Sequence, residues 1–139
     1  MNLLLTFTAI IEAATGLALS VVPSVVVRLL LGGEISGASI PLGRVAGASL
    51  LALGVACWLA RGDTQSRPAR GLVSAMVLYN LGTAVILGTA GISLQPVGIA
   101  LWPAVFLHAG MTVWCLTDLL GKPAQTTDTT NQPGMETEP

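Results

Sequence analysis

The chain has 139 residues, of which 53% are hydrophobic and only 9% charged, with 16 glycines besides. Soluble domains carry about 25% charged residues, so the polar surface a water-soluble fold of this size needs is missing. A soluble two-domain enzyme and a disordered chain are both excluded, and the mean hydropathy of +0.77 points to an integral membrane protein.

The first apolar segment covers residues 3–31 and includes Glu12, Pro23 and Arg28. As one helix it would rise about 43 Å, more than a hydrocarbon core of about 30 Å. Pro23 therefore marks either a kink or the end of a span near residue 24, with an interfacial extension to residue 31 and Arg28 reaching the headgroups. No Lys or Arg precedes the run, and it outlasts a signal-peptide core, so a retained helix is expected. The second span is predicted over residues 42–60, with 35–41 as an interfacial lead-in. The hydrophilic link 61–70 follows, and Pro68 is suited to starting the third helix, 69–90. Residues 71–117 contain no Asp, Glu, Lys or Arg. That is long enough for two spans, with the break at 91–98 and the fourth helix at 97–120. Residues 121–139 are polar and Pro-containing and are expected to be a disordered tail, outside a transmembrane domain of residues 1–120.

The expected fold is all-α: four transmembrane helices with antiparallel up-and-down connectivity. Both termini then share a side with Arg61, Arg67, Arg70 and Lys122, against Arg28 and Arg44 on the other. By the positive-inside rule the termini are expected in the cytoplasm and the protein in a bacterial inner membrane.

Lipid supplies little hydrophobic drive for helices to associate, so close approach at small residues must contribute. The second helix offers Gly43, Gly47, Leu50, Gly54 and Cys57 at alternating spacings of four and three, and the first offers Ala9, Ala13, Gly16 and Ser20. These are read as helix contacts, within the chain or with a partner.

Three polar side chains fall at similar depth. At about 1.5 Å rise per residue, Glu12 lies about 13 Å, Asn80 about 16 Å and His108 about 18 Å from the inner end. Tyr79 adjoins Asn80 on a face rotated by about 100°. Charge in hydrocarbon is costly, so these groups should turn inward and satisfy one another. Thr8, Glu12 and Thr15 share one helix face. The predicted site is a central cluster of Glu12, His108 and Asn80 or Tyr79, able to hold or pass a proton or to bind a polar group on an otherwise apolar ligand. The competing reading is that the cluster only locks the helices together. Arg44, about 10 Å above Glu12 by the same rise, is a further candidate, unless it snorkels outward or pairs with Glu34.

Cys57 and Cys115 have neither the spacing of a zinc site nor that of a disulfide framework. Cys115 lies about 10 Å along the helix from His108 and cannot share an ion with it. One histidine offers no axial pair for a haem. No metal or cofactor is expected. No basic block exists to follow a phosphate backbone, so nucleic acid is not an expected partner.

The stretches IEAATGLAL (11–19), VPSVVVRLLLG (22–32), GRVAGASLLALGVACWLAR (43–61), Leu78-Tyr79-Asn80 and WPAVFLHA (102–109) resemble a family of small, uncharacterised four-helix bacterial inner-membrane proteins. That resemblance implies a shared fold and no particular activity. Ile11, Glu12 and Gly16 are also similar to the first helix of small multidrug resistance exporters, in which a glutamate exchanges protons for cationic drugs. His108, the charged 61–70 link and the tail depart from that pattern, so the likeness is one of site only.

Three functions compete. The first is binding or transport of a small apolar or cationic ligand, proton-coupled through Glu12. The second is an accessory or scaffolding subunit, with a small-residue face turned to a membrane partner. The third and weakest is an intramembrane enzyme using Glu12 and His108 for acid–base chemistry. A transporter this small is expected to need a homodimer.

Overall fold

The computed structural model describes residues 1–63, 66–94 and 96–121. The chain is helical: α1 Asn2–Val21, α2 Pro23–Leu31, α3 Ser39–Ala60, α4 Arg67–Ser93 and α5 Leu101–Leu120, with no strand among the described residues. Four of these, α1, α3, α4 and α5, are long and apolar enough to cross a membrane, and they mark the chain as a multi-pass membrane protein. The expected tail, from residue 122 on, lies outside the described residues.

The break between α1 and α2 follows from Pro23. Proline has no N–H to continue the helix and disfavours helical backbone in the residue before it. Val22 accordingly sits at φ −130°, ψ 59°, and α2 restarts with Pro23 in its first turn. The segment thus resolves into two helices rather than one kinked rod. Gly32 ends α2 at φ 75°, a left-handed conformation that glycine adopts without steric cost, and its amide bonds to the Arg28 carbonyl at 2.9 Å.

Two helix pairs form the body, α1 with α3 and α4 with α5. The small residues make the first pair possible. A Cβ on Gly47 would stand 2.7 Å from the Gly16 carbonyl oxygen, and one on Gly54 would stand 3.0 Å from the Ala13 nitrogen. Leu19 lies beside Gly43 further along. In the second pair Gly91 takes Leu101 and Trp102 against its Cα, and Arg70 donates to the Leu119 carbonyl at 3.4 Å. The α4 start is capped by Ser66, whose hydroxyl accepts from the Ala69 amide at 3.3 Å.

One end of the molecule is solidly packed. Leu4, Leu5 and Ala9 of α1, Cys57 of α3, Val73 and Met76 of α4, and Met111 and Cys115 of α5 form a single buried cluster. The α-amino group of Met1 pairs with Asp118 there at 2.8 Å. The other end is organised by α2. The amides of Gly98 and Ala100 donate to the Leu30 and Leu29 carbonyls at 3.1 and 2.9 Å. The unpaired carbonyls of one helix end thus meet the unpaired amides ahead of the next helix. Residues 98–101 form a turn, with the Leu101 amide donating to the Gly98 carbonyl at 3.2 Å, and α5 begins at Leu101, later than the expected residue 97. α3 instead begins earlier than expected, at Ser39, because Pro41 falls in its first turn, where its missing N–H costs nothing.

Candidate functional site

Glu12 sits on the buried stripe of α1 with Thr8, and the two are 4% and 2% exposed. Their spacing of four places them one above the other on a single helix face. Across the gap between the helix pairs, Tyr79 of α4 donates its phenolic hydrogen to Glu12 Oε2 at 3.2 Å. Asn80, the next residue, is turned to α5, where its Oδ1 lies 2.8 Å from His108 Nδ1. Its Nδ2 donates to the Met76 carbonyl one turn earlier at 2.8 Å. The Tyr79 and His108 rings meet edge-on, with centroids 5.7 Å apart.

Tyr79 and Asn80 therefore divide the work that the 100° between neighbouring helical residues allows. One contacts the carboxylate of α1 and the other contacts the imidazole of α5. Glu12 and His108 are linked through Tyr79. Among the described residues Glu12 has no ion-pair partner, since the two ion pairs found join Met1 with Asp118 and Arg28 with Glu34.

A cavity of about 330 Å³ opens on this group. Glu12, Thr15, Tyr79, Thr83 and His108 give it a polar patch, and its remaining wall is aliphatic, including Leu19, Leu50, Leu87 and Leu107. Val26, Leu29 and Leu30 of α2 close it at the end away from the packed cluster. The volume is at the lower end of the roughly 300–1,000 Å³ typical of ligand pockets. A second void, about 10 Å³, lies between Thr8, Glu12, Asn80 and His108. The Thr8 hydroxyl beside it has no hydrogen-bond partner among the described residues.

Arg44 stands apart from this group. It is exposed on α3 and does not line the cavity. Glu34 is engaged by Arg28 at 3.6 Å, with both side chains exposed. Two contributors were not singled out from the sequence. Thr83 is one turn beyond Tyr79 and could have been found by extending that helix face. The roof formed by α2 had no local signal, because its apolar residues fit an interfacial helix equally well.

No family model, characterised protein or solved structure matches the chain.

Proposed function

We propose that the protein binds and moves a small lipophilic cation across a bacterial inner membrane, with Glu12 exchanging the cation for a proton. One observation carries this reading: a buried carboxylate with no counter-cation among the described residues faces a cavity whose wall is mostly aliphatic. In hydrocarbon such a group needs either a proton or an external cation, and competition between the two is the basis of exchange. The aliphatic wall suits the apolar body of the ligand.

The same proposal runs the four long helices alternately up and down, with both termini cytoplasmic. It is supported by the order of contacts, in which Ala13 meets Gly54, Gly16 meets Gly47 and Leu19 meets Gly43. The distribution of Arg and Lys supports the orientation. The accessory-subunit reading finds less support, because the small-residue stripe at 43–57 is spent on α1 rather than turned outward.

The test is titration of purified protein with 2-phenylethylammonium in weakly buffered detergent solution, recording heat and released protons together. Wild type is expected to bind the cation and release protons. Glu12→Gln is expected to bind roughly tenfold more weakly or worse, the usual cost of losing a charged partner, and to release none. Equal affinity in the two proteins, with no proton release from either, would refute the reading.

A further inference from the structure

We infer that the cavity selects cations that carry N–H groups over quaternary ammonium ions. The inference rests on the reading of Glu12 as a cation site and adds the chemical class of the ligand's head. It comes from counting which hydrogens at the site are already committed. Asn80 Nδ2 donates to the Met76 carbonyl, so the amide atom that faces His108 is the oxygen, which can only accept. His108 Nδ1 must then carry the ring hydrogen, and in the neutral imidazole Nε2 is left as an acceptor. Tyr79 has given its one hydrogen to Glu12 Oε2 and keeps only a lone pair. Glu12 keeps its second oxygen. Once Glu12 has given up its proton, three side chains on the polar patch of one cavity therefore offer acceptors with no donor among them. Thr15 and Thr83 adapt to either role.

A head group with several donors and a positive charge satisfies this set: a primary or secondary ammonium. A quaternary ammonium offers charge alone and would leave His108 Nε2 unpaired in a water-poor site, where unpaired polar groups are costly. A carboxylate or phosphate would meet acceptors only.

The experiment compares 2-phenylethylammonium with its N,N,N-trimethyl derivative on the full chain in detergent. Wild type is expected to prefer the primary ammonium by about tenfold. Because the trimethyl group is also larger, the comparison is repeated on His108→Phe, which keeps a ring and removes Nε2. There the preference is expected to fall severalfold, by the share that Nε2 supplies, whereas a preference set by size alone would stay unchanged and overturn the inference. The chain contains one histidine, so ¹⁵N-histidine spectra of wild type give a readout that needs no variant. The Nε2 resonance is expected at the unprotonated position in the free protein, to move on adding the primary ammonium, and to stay put with the quaternary one. Equal binding of both cations with an unmoved Nε2 would overturn the inference and leave the Glu12 cation site standing. Binding of neither would remove both.

Discussion

Glu12, Asn80 and His108 could be set at one depth by counting residues, because helical rise is constant whatever surrounds the helix. Their pairing could not. Tyr79 and Asn80 are neighbours in sequence, and which of them meets Glu12 depends on how α4 is rotated between α1 and α5. Packing settles that rotation: Met76 and Val73 enter the buried cluster and turn Asn80 to His108 and Tyr79 to Glu12. Thr8 offers a prediction at the same scale. Its buried hydroxyl lacks a partner among the described residues, so the near-isosteric Thr8→Val removes a desolvated group without opening a cavity. It is expected to stabilise the protein by about 1 kcal/mol, seen as a higher midpoint in thermal unfolding in detergent. A lower midpoint would mean that the hydroxyl is satisfied in solution, across the small void it shares with Glu12.

At the scale of elements, the long helices were legible because some twenty apolar residues in a row have few other uses. The small-residue stripes on α1 and α3 were legible as contact faces, and Gly16 and Gly47 show the reason, since any side chain there would strike the opposing backbone. α2 was legible as an interruption at Pro23 followed by an interfacial extension to residue 31, not as a roof. Its role as a roof depends on Gly98, where a Cβ would overlap the Leu29 carbonyl. Gly98→Ala is expected to push α2 off the segment ahead of α5 and break both backbone hydrogen bonds. The expected loss is about 2 kcal/mol of stability, together with faster hydrogen exchange at residues 98 and 100. Unchanged exchange there would show that the contact tolerates a methyl group.

For the whole molecule, the proposed up-and-down passage can be read by chemical labelling. Cys57 and Cys115 are both fully buried and should stay silent toward a membrane-impermeant maleimide. Gly33→Cys is expected to react in intact spheroplasts, and Asp63→Cys only after permeabilisation. The reverse pattern would invert the orientation, and reaction of both from one side would defeat the alternating passage. Composition alone determined that this chain belongs in a membrane, because it lacks the charge to cover a surface in water. Helical rise alone set its polar groups at a similar level along their helices. Only the tertiary structure decided that the two helix pairs pack tightly at one end while α2 closes a cavity at the other. Side-chain volume and helix rotation together make that choice, and neither is a property of any single segment.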